Sequence, residues 1–323
     1  MWASAAILVG WLALAIMRAW QVGASLSQVG PYLYAPLVIV LGAWLGWRAG
    51  QRLDPQTVAK IVIVAVAYIA LAALITNHPG RGAIGYANAN AALAVQLIAL
   101  AGLIARHHRT RWHGLAAVAI GVVALLANAS QGGTATGLIV LAAVVVALLH
   151  RGAHRRWPPV VLSLGTCMLA VAVLMSLARR AIWPDWAVTA LSRLRHDMWN
   201  AAWAAFRRAE TFGFGPGRYA EVNPWARDAD TMSAHSLPLQ VAAELGTVGL
   251  TLLTLIVLCG LAWAAIAHSP QAAWITIAAW TALSAHAFMD HLLEYWPIPL
   301  AAGLVLGYGL VAQTDAEAED KVV

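Results

Sequence analysis

Pro159-Val-Val-Leu-Ser-Leu-Gly-Thr-Cys-Met-Leu-Ala-Val-Ala-Val-Leu-Met-Ser-Leu-Ala178 runs for twenty residues without a charge, between Arg155-Arg156 and Arg179-Arg180. As a helix rising about 1.5 Å per residue it covers about 30 Å, the hydrocarbon thickness of a bilayer. The stretch reads as a membrane pass. Comparable apolar runs stand before it at about 2–17, 33–49, 58–76, 86–105, 113–129 and 134–149, and after it at about 239–267, 271–289 and 296–312. Breakers separate them: Gly30-Pro31, Asp54-Pro55, Pro79-Gly80, Gly132-Gly133, Pro158-Pro159, Pro270 and Pro297. Lipid offers no partner for backbone N–H and C=O groups, so each pass must be helical. The sequence therefore predicts an all-α, polytopic membrane helix bundle of about ten transmembrane helices, with one large outer-face loop containing an amphipathic helix.

Composition agrees. The 323 residues are 61% hydrophobic and 11% charged, against about 25% charged in a soluble domain. The formal charge of +6 does not point to nucleic acid, because the basic residues sit in short clusters between apolar runs, as topology signals do. Cys167 and Cys259 both fall inside apolar runs and offer no disulfide or zinc framework. The run from Trp2 to Met17 has no basic residues ahead of it and no small-residue cleavage site, so it is expected to stay as a first helix. The resulting organisation is about seven N-terminal passes over 1–178, the outer loop over 179–237, about three C-terminal passes over 238–313 and an acidic tail over 314–323.

Orientation follows from arginine and lysine in the short connections. Arg48, Arg52 and Lys60 fill one, Arg106, Arg109 and Arg111 another, and Arg151, Arg155 and Arg156 a third. The alternate connections hold only Arg18, only Arg81, and nothing basic between Asn128 and Gly133. The rich connections are expected to face the cytoplasm. Both termini then lie inside and the 179–237 segment outside.

That outer segment is too long for a simple connection. From about Ala187 to Ala209 it has helical spacing, with Arg195, Trp199, Ala202 and Phe206 in one stripe and Arg193, Asp197, Asn200 and Arg207 opposite. Such a helix can lie on the membrane with its aromatics buried. Arg195, a charge on the apolar stripe, must then find an anion, either a lipid phosphate or a carboxylate. Next come Thr211-Phe-Gly-Phe-Gly-Pro-Gly-Arg-Tyr219, a forced tight turn that would bring Arg218 back toward the helix, and Ser233-Ala-His235-Ser-Leu-Pro238 at the mouth of the next pass. His235 can exchange a proton near neutral pH. Glu244, two turns further in, is costly in lipid unless paired, and reads either as a partner for an arginine or as a functional group.

Two more polar features belong to the same outer side. Asn77-His-Pro-Gly-Arg81 leads into Gly85-Tyr-Ala-Asn88-Ala-Asn90, where two amides start a pass as helix glue or as ligands. His286-Ala-Phe-Met-Asp290-His291 puts its first and fifth members on one helix face. With Glu294 it could be drawn as a zinc site, but helix-end hydrogen bonding is the plainer reading, and no metal is expected.

Taken in order, Arg195-x-x-x-Trp199, the aromatic helix, Gly213-Phe-Gly-Pro-Gly217 and His235-Ser leading into Ala243-Glu244-Leu-Gly246-x-x-Gly249 resemble the bacterial O-antigen ligase and O-antigen polymerase superfamily. Arg81 followed by Gly85-Tyr-Ala-Asn88-Ala-Asn90 is similar to its arginine- and asparagine-rich start of an early helix. The resemblance implies transfer of a glycan from an undecaprenyl-diphosphate carrier to a lipid or glycan acceptor at the outer face of the cytoplasmic membrane, without cofactor. It also implies that Arg195 and His235 are the catalytic pair. Arg81 would be a helper, with Arg193, Arg218, Asn88, Asn90 and Glu244 as the substrate-binding group. One departure stands out: where many relatives read Ser-Arg-Gly, this chain has Ser130-Gln131-Gly132, so Arg81, Arg193 or Arg218 would have to supply the missing charge.

The implied reaction suits these groups. Expulsion of a diphosphate builds negative charge that guanidiniums stabilise, and an acceptor hydroxyl needs a base that histidine supplies. Two rivals remain: a transporter or flippase for lipid-linked sugars, and an inactive relative serving as an envelope-assembly scaffold. The first predicts ionisable groups deep in the passes and broken helices. Runs 134–149 and 159–178 carry no charge.

Overall fold

The computed structural model describes residues 2–76, 82–149, 155–228 and 231–311. Arg81, expected to help bind substrate, lies outside the described residues, as does the acidic tail.

The described residues form thirteen α-helices and no strand. Seven passes come first: α1 (Trp2–Val22), α2 (Leu26–Arg52), α3 (Pro55–Thr76), α4 (Ala87–Ala105), α5 (Arg111–Ala127), α6 (Gln131–Leu149) and α7 (Trp157–Ala178). Three shorter helices follow, α8 (Asp185–Leu191), α9 (Arg193–Arg208) and α10 (Tyr219–Val222). The chain then forms α11 (Leu237–Ala265), α12 (Pro270–Ala287) and α13 (Pro297–Gly309). Eight helices, α1 to α7 and α11, are long and apolar enough to cross a membrane. The protein is a polytopic helical bundle. The last two expected passes are shorter, at 18 residues for α12 and 13 for α13.

Three local expectations change. The first pass runs on through Arg18 to Val22, because the Arg18 guanidinium donates to the carbonyls of Phe212 at 3.1 Å and Gly213 at 2.7 Å. Gly30-Pro31 does not break a helix, since α2 passes through both Pro31 and Pro36. Pro36 has no N–H and leaves the Tyr32 carbonyl, one turn earlier, without its helical partner. The buried Trp11 indole on α1 donates to that carbonyl at 2.7 Å. Finally, the expected helix over 187–209 is two helices. Ser192, at φ 76°, interrupts it and accepts from the Arg195 N–H at 3.4 Å as the cap of α9.

The chain divides into two compact units, neither a continuous stretch. One comprises Leu37–Thr166, Gly260–His286 and Tyr295–Val323. Its centre is α4, buried along nearly its whole length, with α3, α5, α6 and α13 packed around it. In the same unit Gly42 and Gly46 of α2 face Gly303 and Gly307 of α13, and a Cβ at any of the four would run into the opposing backbone. This is the small-residue spacing that lets helix backbones touch where lipid gives no hydrophobic drive.

The other unit comprises Met1–Pro36, Cys167–Cys259 and Ala287–Glu294. Trp11, Leu14 and Tyr32 pack with Val241 and Leu245 of α11 in one core cluster. Leu174, Trp183, Trp199, Tyr219 and Leu239 form the second, so the 179–237 segment packs on a core it shares with the ends of α7 and α11. Helix α11 is broken at Gly246, whose φ of 65° and ψ of −159° are open essentially only to glycine. The backbone groups released there are taken up by the glycine-rich turn. Phe214 and Gly215 donate to the carbonyls of Ala243 and Glu244 at 2.9 and 2.8 Å, and Thr247 donates to Glu210 at 2.7 Å.

Candidate active site

Helix α9 supplies the first element. Its buried face is Met198, Trp199, Ala202 and Ala205, and Arg195 precedes Trp199 by one turn on the same side. The Trp199 indole donates to the His235 carbonyl at 3.3 Å. Arg195 Nη2 donates to Asp290 Oδ2 at 3.2 Å, with the Arg195 side chain 20% exposed and that of Asp290 1% exposed. The carboxylate that the charged stripe demanded is therefore Asp290.

His235 sits just ahead of α11 with a φ of 45°, a left-handed conformation that a β-carbon disfavours. Strain of this kind persists only where the surroundings enforce it. Here they do. The backbone is held through Trp199, the Ala234 N–H donates to Gln240 Oε1 at 2.7 Å, and His235 Nδ1 lies 3.2 Å from Asp290 Oδ1. An ionised carboxylate only accepts, so Nδ1 carries the proton and the basic lone pair lies on Nε2. His291 completes the group: its N–H donates to the same Oδ1 at 2.9 Å, its Nδ1 is 3.0 Å away, and its ring stands edge-on to His235 at 4.4 Å between centroids.

The electrostatics follow from one buried carboxylate among three potential cations. Burial alone would raise the Asp290 carboxyl, but hydrogen bonds from His235 and His291 and the charges of His291 and Arg195 hold it well below the usual range. Burial would likewise depress His291, and the Asp290 and Glu294 carboxylates outweigh it and raise the imidazole above 6.5. The group is an arginine and two histidines organised by an aspartate that stays ionised.

Other expected residues have different surroundings. Among the described residues Glu244 meets no arginine. Its carboxylate accepts from Tyr32 Oη at 2.6 Å, the Gly217 N–H at 2.8 Å, the Tyr219 N–H at 3.1 Å and Gln240 Nε2 at 2.7 Å. It is the clasp that fastens the glycine-rich turn to α11. Gly213 belongs to that clasp, since its φ of 63° and its contact with the Glu244 backbone both exclude a Cβ. Arg218 turns to the Val22 carbonyl and the Glu221 carboxylate. Arg193 is exposed at the first residue of α9.

Asn88 and Asn90 belong to the α4-centred unit. Asn88 accepts from Ser130 Oγ at 2.7 Å, and Asn90 accepts from the Ile84 N–H at 2.9 Å, which is the glue reading of these amides. His286 does not share a helix face with Asp290, because α12 ends at Ala287. It lies instead against Gly132.

The drawn metal set of His286, Asp290, His291 and Glu294 is thus replaced by another. His235, Asp290 and His291 each offer a ligand atom, all within 4.8 Å of one another. Two imidazoles and a carboxylate are a donor set that a divalent ion accepts. Arg195, 3.2 Å from the same carboxylate, brings a permanent positive charge that opposes a second cation.

Asp290 and His291 were the residues that sequence reasoning passed over as catalytic candidates. Their signal was an aspartate buried in an otherwise apolar chain end, matching an arginine with no partner.

No match was found among curated proteins. A sequence model of the family described as O-antigen ligase matches residues 116–254. That stretch contains α6 to α10, including Arg195 and His235, and the first part of α11 through the Gly246 break. Over residues 116–254 the chain is therefore similar to the O-antigen ligase family, as the motifs of its 179–237 segment also are.

Proposed function

We propose that the protein transfers a glycan from an undecaprenyl-diphosphate carrier to a lipid or glycan acceptor at the outer face of the bacterial cytoplasmic membrane, without a metal ion. A glycan-transfer role in cell-surface polysaccharide synthesis is what the family match supports. The observation that carries the finer reading is the convergence of Arg195 and His235 on the buried Asp290 carboxylate.

In this reading Nε2 of His235 takes the proton of the acceptor hydroxyl as its oxygen bonds to the anomeric carbon. The bond from that carbon to the diphosphate oxygen breaks, and its electron pair leaves with the diphosphate. Asp290 holds the imidazole in the right tautomer and balances the imidazolium that forms. Arg195 offers its remaining N–H groups to the departing phosphate, where charge grows in the transition state. A positioned base contributes about 10²–10⁴ in rate, and a single charge-stabilising donor about 10²–10³. Arg193 and Arg218 are further phosphate contacts in this reading, made when substrate draws them from their present surroundings.

The break at Gly246 and the buried Glu244 beside it are what the transporter reading has in its favour. The glycine-rich turn and the Glu244 clasp fill that break, which supports transfer over transport. The test is His235→Ala in cells whose own gene is deleted, with the envelope glycan profile as readout. Long chains should be lost if the step is polymerisation, or left stranded on the carrier if it is ligation. Normal envelope glycans in the variant would remove the proposal, as would chelator-sensitive transfer by the purified protein for its metal-free part.

A further inference from the structure

The α4-centred unit carries a second concave site with different chemistry. A half-open cleft of about 610 Å³ is lined by Arg48 and Arg52 from the end of α2, His107 from the turn before α5, His268 from the turn before α12 and Tyr308 of α13. That volume lies within the range of small-molecule sites. Among the described residues, none that lines it carries a carboxylate. Two arginines from the end of α2 and two histidines from separate turns therefore line one hollow. Its rim is apolar where Leu310 and Val311 contribute.

The positions are not those of a random basic patch. Arg48 is half-buried, with its guanidinium 5.9 Å from the Trp44 ring, while Arg52 is exposed at the mouth. Tyr308 is 7% exposed, so the floor is fixed by packing. By the distribution of arginines, these turns belong to the connections read as cytoplasmic. The glycan-transfer chemistry is assigned to the outer face, so it makes no use of this cleft.

We propose that the cleft is a phosphate-binding site whose ligand is the phosphate of an anionic lipid headgroup or free phosphate from the cytoplasm. Arginine forks match phosphate oxygens in pairs, and basic hollows between helix ends on the cytoplasmic side suit phospholipid headgroups. The apolar rim beside the cations favours the lipid source, because an acyl chain could leave across Leu310 and Val311 while the phosphate stays between the arginines.

The test uses the full-length protein in detergent, with native mass spectrometry counting retained phosphatidylglycerol against phosphatidylcholine. A second arm measures binding of inorganic phosphate by equilibrium dialysis. The variants are Arg48→Gln/Arg52→Gln, the exposed Arg52→Gln alone, and Arg109→Gln/Arg111→Gln as a control on a basic turn outside the cleft. The double variant should lower phosphatidylglycerol retention by about 10-fold, the single variant by less, and the control hardly at all. Inorganic phosphate that binds and is lost in the same variants would assign the free source and still support the site. Arg52→Gln keeps the test valid if the double variant fails to fold. Retention unchanged in both cleft variants, or reduced as much by the control pair, would overturn the proposal and leave only a diffuse topology charge.

Discussion

Replacing Asp290 by asparagine is the sharpest probe of the group that holds Arg195 and His235. The substitution keeps shape and removes one charge. Asp290 is 1% exposed at its side chain and receives His235 and His291 on Oδ1 and Arg195 on Oδ2. Cutting one partner from a fully buried pair costs about 3–5 kcal/mol. Here Arg195 keeps 20% of its side chain in contact with solvent, and the amide oxygen can still accept, so the structural cost should be nearer 1–3 kcal/mol. The effect on chemistry should be larger. An amide can present its NH₂ to His235 Nδ1, which moves the ring proton to Nε2 and removes the base, and loss of a positioned base lowers the rate by about 10²–10⁴. The assay is transfer from purified lipid-linked donor by protein in vesicles, with a thermal melt on the same preparation. A variant that melts a few degrees lower and transfers at least 100-fold more slowly fits the argument. Transfer at the wild-type rate by a folded Asp290→Asn protein would refute it.

Three other outcomes follow from the same structure. Glu244→Gln puts an NH₂ where the carboxylate accepts from the Gly217 or Tyr219 N–H, and should lower stability by about 1–3 kcal/mol in a denaturant titration of the detergent-solubilised protein. Gly246→Ala forces a Cβ into the backbone of Thr211 and Phe212 at a conformation closed to alanine. It should cost about 3 kcal/mol or more, seen as loss of folded protein on size-exclusion chromatography. His291 has a raised imidazole pKa, so the stability it adds is fully present below its ordinary value of 6.5 and is lost as pH rises through the higher folded value. Melting temperature should therefore decline from about pH 6.5 upward in the wild type and be flatter in His291→Gln.

The passes were legible because their signal is one of composition: an uncharged run of twenty residues has one stable home. Their ends were less so. Proline reads as a breaker in sequence, yet Pro36 sits inside α2 because Trp11, far away in the chain, supplies the partner that its missing N–H leaves wanting. The helix over 187–209 was foreseen, but not the Ser192 interruption, since a serine cap mid-run is not distinguished by period from a solvated serine. Arg195 and His235 could be singled out from residue type and place. The residue that joins them could not, because Asp290 lies 55 positions beyond His235 and only tertiary folding brings it there. Glu244 shows the opposite case. A buried acid in a membrane helix reads as an arginine's partner or as a functional group, and here it is surrounded by four neutral donors.

The interrupted α11 also constrains how the protein is made. Its carbonyls at Ala243 and Glu244 and its N–H at Thr247 are paired with residues 210–215, which precede it in the chain. In hydrocarbon each such group left alone costs several kcal/mol. The preceding segment is therefore needed beside α11 as that helix settles in the bilayer, and synthesis from the N-terminus delivers the two in that order. A rearranged gene that placed α11 ahead of the 179–237 segment would ask the membrane to hold a half-finished helix, and should yield a protein cleared by quality-control proteases before it reaches its mature form.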